Sequence, residues 1–185
     1  MSIMTEAEAK TILAKVIKLS TADECTAQLT GSIEGNIRFA LNNVSTSGVV
    51  SNIDLAVTVA FGRRVGTATI NEFSDSALAR VVKRAEELAK LAPENPEFVP
   101  AVEATTYKPS DTFSAATAAI TPDQRAEVAR ASIAPCRAQN LVAAGFLQDE
   151  QSFVAFANSK GAFGYQRATQ MDYTCTVRTA DGKGS

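Results

Sequence analysis

Residues 37–71 read IRFALNNVSTSGVVSNIDLAVTVAFGRRVGTATIN. Three short segments rich in β-branched and aromatic residues lie between turn signals: Ile37–Leu41, Ile53–Phe61 and Val65–Ile70. The separators are Asn42-Asn43, Ser45–Gly48 and Gly62-Arg63-Arg64. That pattern predicts an antiparallel meander. In the middle segment Ile53, Leu55, Val57, Val59 and Phe61 share one face, and Asp54, Ala56, Thr58 and Ala60 take the other. One face can enter a core while the other stays polar or small.

Helices flank this meander. Thr5-Glu6-Ala7-Glu8 is a capping box, and Ala9, Ile12, Leu13, Val16 and Ile17 recur behind it at helical spacing. A helix from about Glu6 to Leu19 is expected. Cys25–Ile33 alternates weakly and reads as an edge-like strand, and Glu34-Gly35-Asn36 reads as the turn into the meander. Ser74-Asp75 opens a second helix with an apolar stripe of Leu78, Val81, Val82, Ala85, Leu88 and Ala89. Glu86 and Lys90 are spaced for an ion pair on it, and Pro93 ends it. Pro93 to Ser114 holds four of the six prolines and reads as a long irregular connection crossing the surface.

Thr121-Pro122-Asp123-Gln124 starts a third helix, with a capping Thr and proline at its first position. Its stripe is Ala126, Ala129 and Ile133, and Pro135 is expected to break or kink it. Strand-like segments follow at Ala144–Leu147, Phe153–Ala157 and Met171–Arg178, with turns near Asp149-Glu150 and Ser159-Lys160-Gly161.

The second half echoes the first. Phe39-Ala40 with Asn42 resembles Phe156-Ala157-Asn158, and Ile53–Val59 resembles Met171–Val177. The expected class is α+β: mostly antiparallel sheet with helices on one face, built as two helix-plus-strand-meander repeats. The first repeat spans 1–100, an irregular connection 101–120, and a second, truncated repeat 121–185; the two repeats can also form one composite domain. The second repeat reaches the turn Asp181-Gly182 without a returning strand, so the chain reads as the front part of a longer protein.

Composition narrows the function. The net charge of −2 gives no basic excess for nucleic acid. No apolar run reaches the ~18 residues of a spanning helix, and MSIMTEAEAK is not a secretory leader. Three scattered cysteines, Cys25, Cys136 and Cys175, suit reduced thiols in a cytoplasmic protein. The chain has no histidine, which excludes Ser-His and Cys-His nucleophile pairs. A zinc site would then need clustered cysteines or carboxylates, and none are so spaced. No catalytic and no metal-binding residue is assigned.

Asn42, Asn43, Ser45, Thr46 and Ser47 form a dense polar stretch that can hydrogen-bond an extended peptide or simply make turns. Arg63-Arg64 sits on a hairpin tip, where it contacts an acidic partner or keeps the tip solvated. Gly62 and Gly66 lack the Lys and Ser/Thr of a phosphate loop. Ser159-Lys160 and Asp149-Glu150 read as turns rather than as catalytic pairs. Asp54 and Asp172 recur at matching repeat positions and read as a shared structural bond rather than a substrate contact.

The capped first helix, RFALNNVSTSG, the run from SNIDLAVTVAFGRRVGTATINEFSD to LAPENPEF, and the late AAGFLQ, FANSKGAFGY and TCTVRTADGKGS segments together resemble the N-terminal domain of the TldD/PmbA family, the modulators of DNA gyrase or TldD/TldE metallopeptidases. The resemblance spans nearly the whole chain. It implies a cytoplasmic homo- or heterodimer acting on unfolded peptides, without nucleic acid or membrane. It also implies zinc on a His-Glu-x-x-x-His helix well downstream, absent from TldE/PmbA-type subunits. Without histidine this chain supplies none of those ligands. Its expected role is a non-catalytic front domain that shapes the substrate chamber and the dimer interface. The alternatives are a peptide- or protein-binding module and a metal-free partner subunit.

Overall fold

The computed structural model describes residues 2–185. The chain runs α1 (Glu6–Leu19), β1 (Glu24–Ala40), β2 (Asn43–Phe61), β3 (Arg64–Ile70), α2 (Asp75–Leu91), α3 (Ala115–Ala118), α4 (Pro122–Ala138), β4 (Leu141–Asn158) and β5 (Phe163–Thr179). The strands form one antiparallel five-stranded sheet in the order β3-β2-β1-β4-β5. The α+β class holds, and helix–strand–strand occurs in both halves.

Facing residues across an antiparallel pair share a side of the sheet. Cys25, Ala27 and Leu29 of β1, Leu55, Val57 and Val59 of β2, and Phe153, Ala155 and Ala157 of β4 therefore point together. They form a core with Ala9, Leu13 and Val16 of α1 and Leu78, Val81, Val82 and Ala85 of α2. Further along the same side, Ile37, Phe39, Ala143 and Leu147 pack under Ala129, Ile133 and Cys136 of α4. Three helices thus cover one face through two adjacent cores. The connection after α2 crosses the other face: Val102 O accepts from Asn158 Nδ2 at 2.8 Å, and Tyr107 meets the Phe156 ring edge-on. It then reaches β5, where Thr169 N donates to Thr112 O.

Several expected breaks do not occur. β1 runs straight through Glu34-Gly35-Asn36 and is a central strand, not an edge. β2 runs through Ser45–Gly48, because the Ser45 and Ser47 hydroxyls donate to the carbonyls of Arg38 and Asn36 on β1 instead of closing a local turn. β4 runs through Asp149-Glu150, because the Asp149 carboxylate is held from above by α4. Pro135 lies inside α4, whose burial of Ile133 and Cys136 on either side outweighs one lost backbone bond. Glu86 does not pair with Lys90; it accepts from Thr21 N at 2.6 Å, and Lys90 lies over the Phe61 ring.

The internal echo holds only in part. Ile53 and Met171 both lie on the helix-covered side, opposite Gly31 and Asp149. Phe39 and Phe156 do not correspond: Phe39 points to the helices, whereas Phe156, opposite Gln28, points to the other side. The match in letters is one residue out of register, and such a slip exchanges faces.

Candidate functional site

The turn between β1 and β2 is a two-residue loop with Leu41 and Asn42 both left-handed (φ 51° and 60°), the geometry that matches strand twist. Asn42 is committed internally. Its Nδ2 donates to Leu141 O at 2.8 Å and its Oδ1 accepts from Ala143 N at 2.7 Å, which staples the hairpin to the start of β4. Asn43 Oδ1 accepts from Arg137 at 2.9 Å, and its Nδ2 donates to Leu41 O. Ser45 is held by Arg38 O, and Thr46 lies exposed opposite Arg38. Arg63 donates to the carbonyls of Asn95 and Pro96, which ties the connection to the β2–β3 turn. Arg64 opens β3 and is exposed. The structure therefore splits these residues between two ends of β2 and gives Asn42, Asn43, Ser45 and Arg63 internal partners.

What it brings forward is the outer edge of β2. β3 pairs with β2 only from Leu55 to Phe61, so among the described residues, 43–54 have β1 on one side and no strand on the other. This stretch reads NVSTSGVVSNID and carries no charge before Asp54 and no proline. Edges normally carry such residues to block pairing. Two clefts open on the helix side along it. One, of about 430 Å³, is lined by Ile12, Ser32, Ser51, Ile53 and Phe153. The other, of about 390 Å³, lies beneath α3 and the start of α4, lined by Gly35, Val49, Ile120, Arg125 and Gln151.

The floor of the second cleft is the feature that the sequence reading missed. Arg125 Nη1 donates to Asp149 Oδ1 at 2.7 Å and Oδ2 at 3.0 Å, and both side chains are almost fully buried. A Cβ on Gly35 would collide with this guanidinium, so the glycine is there for room. A signal was present: Arg125, Ala129, Ile133 and Cys136 are the buried positions of α4, so an arginine heads its apolar stripe. Among the described residues no His/Cys/Asp/Glu group is arranged to hold a metal.

Residues 27–89 match the family model for PmbA/TldA metallopeptidase domain 1. That segment is similar to a TldD/PmbA-type first domain. The matched segment holds most of β1, all of β2 and β3, and most of α2. No curated protein matches by sequence. Solved structures share the fold. TldE of Thermococcus kodakarensis aligns at a TM-score of 0.77 and 16% identity, over 91% of this chain and 42% of its own. BT3649 of Bacteroides thetaiotaomicron aligns at 0.79 and 16% identity, over 96% and 42%. TM0727 of Thermotoga maritima aligns at 0.72 and 11% identity, over 96% and 44%. The last two are named as modulators of DNA gyrase. This chain spans less than half the length of each of these structures.

Proposed function

We propose that this chain is the non-catalytic first domain of a TldD/PmbA-type peptidase. In this reading it walls part of the chamber that unfolded peptides enter and contributes to an interface with a family subunit, as a homo- or heterodimer. One observation carries it: the domain-1 match falls on the half of the sheet that holds the bare, uncharged edge of β2. Such an edge offers backbone donors and acceptors to an extended chain, and clefts beside it accept alternate side chains. Hydrolytic zinc belongs to another part of such an assembly, since this chain has no histidine. The three free thiols favour a reducing, cytoplasmic setting.

A second reading is the metal-free partner subunit, supported by a TldE among the similar structures. Both readings share one test. The 185-residue chain, stripped of metal, is incubated with reduced casein. It should retain casein without cutting it, and should co-sediment with a histidine-bearing TldD-type subunit. Sustained cleavage by the metal-stripped chain alone overturns the scaffold reading.

A further inference from the structure

β5 closes the far side of the sheet, away from the edge of β2. Its outer margin has two stops. Thr169 N donates to Thr112 O of the connection, and Thr179 N donates to Gly184 O of the terminal turn. Among the described residues, 170–178 between these stops have β4 on one side and no strand on the other. Backbone groups of successive residues point to alternate neighbours, so Tyr173, Cys175 and Val177 present N–H and C=O outward as Thr169 and Thr179 do. Their side chains face the helices, because they lie opposite Leu147, Gly145 and Ala143. Asp172, Thr174, Thr176 and Arg178 face the other way. Asp172 and Arg178 are exposed, and neither has an ion-pair partner among the described residues.

This edge is complementary to itself. Laid antiparallel on a copy about a two-fold axis through Cys175, it sets Asp172 against Arg178, Thr174 against Thr176 and Tyr173 against Val177, each of them twice. Opposite charges, threonine pairs and aromatic–β-branched pairs are favourable cross-strand neighbours. The register also suits the backbone. The outward groups of Cys175 bond those of its copy, and those of Tyr173 bond those of Val177. That leaves the Asp172–Arg178 and Thr174–Thr176 pairs at the positions where facing side chains come closest. A shift of the register by two residues would set Asp172 against Thr176 or Ala180, and a shift by one would exchange faces.

We infer that the outer edge of β5 is a seam for a second copy of this chain, paired antiparallel through residues 172–178 so that two five-stranded sheets run into one. A seam this short belongs to the small, transient class of interfaces. The inference rests on the proposed function only in expecting a like subunit, and it gives that interface a place. The peptide-handling part concerns the edge of β2, on the opposite side of the sheet.

The test is sedimentation velocity on the full chain from about 1 to about 300 μM, where a reversible dimer should appear. Asp172→Arg and Arg178→Asp change exposed side chains. Each alone opposes like charges twice and should weaken the dimer about tenfold or more. Mixed in equal amounts, the two variants again oppose unlike charges at both places and should recover the wild-type dimer. A wild-type chain that stays monomeric throughout overturns the proposal, as does a dimer indifferent to both variants or one that the mixture fails to restore. A dimer broken instead by Val49→Lys puts the seam on β2 and overturns it too. Casein retention, followed in the same samples, should be unchanged in both variants, so the peptide-handling reading stands or falls separately.

Discussion

Gly66 of β3 lies directly against the backbone of α2 at Ala89. A Cβ built on Gly66 would come within 2.9 Å of Ala89 Cα and closer still to its amide nitrogen. The atoms in the way are main chain, which cannot rotate aside. Gly66 therefore lets α2 sit flat on the sheet.

Gly66→Ala should force helix and strand apart. The expected loss is about 1–3 kcal/mol, as for other overpacked cores. Urea unfolding measures it. The same substitution at Gly48, where a Cβ meets nothing within 4 Å, is the control and should cost far less.

Val57 is fully buried in the core that α1 and α2 share with the sheet. Val57→Asp places a carboxylate there without a partner, a change expected to cost about 4 kcal/mol or more. The thermal transition should fall steeply or vanish. An unchanged melt would mean that the buried face of β2 is wrongly assigned. Asp54 on the opposite face should tolerate Asn with little effect.

Breaking the Arg125–Asp149 pair should be costly only when one of the two charges is left behind. Arg125→Met leaves a buried carboxylate alone and should cost about 3–5 kcal/mol. Arg125→Met with Asp149→Leu removes both charges and should recover most of that loss. A double-mutant cycle by denaturant titration reads the coupling. Additive losses would show that the two side chains do not depend on each other.

Burial pushes the Cys25 thiol from its ordinary 9.0 up to about 11, with the Ser20 side chain acting in the opposite direction. The folded value is raised, so the protonated thiol contributes stability that is fully present below pH 9.0 and lost as pH rises toward about 11. Unfolding measured across that window should show a decline that Cys25→Ala lacks. In the native state an alkylating reagent should modify exposed Cys175 first, with Cys25 and Cys136 protected.

Helix starts were the most legible part of the sequence. The capping boxes at Thr5 and Thr121 form as their spacing predicts, and α1 begins and ends where its stripe does. A cap is a local hydrogen-bond pattern, so local sequence suffices to read it. Strand continuity was less legible. Glu34-Gly35-Asn36 and Asp149-Glu150 have turn composition, yet Gly35 makes room for the guanidinium that binds Asp149. Their roles depend on Arg125, far away in sequence and arriving from a helix. The polar stretch at Asn42–Thr46 was visible, but its internal partners were not. Asn42 is satisfied by Leu141 and Ala143, which only the neighbouring position of β4 brings within reach.

The pairing of β1 with β4 also bears on how the chain folds. Thr26 lies opposite Asn158 and Phe39 opposite Gly145, so the middle seam of the sheet joins residues more than a hundred positions apart. Closing so long a loop carries an entropic toll before any contact rewards it. The β1–β2–β3 hairpins and α2 can assemble early from neighbouring sequence. Zipping β4 alongside them should then be the slow step, and until it happens the inner edge of β1 stays open to mispairing.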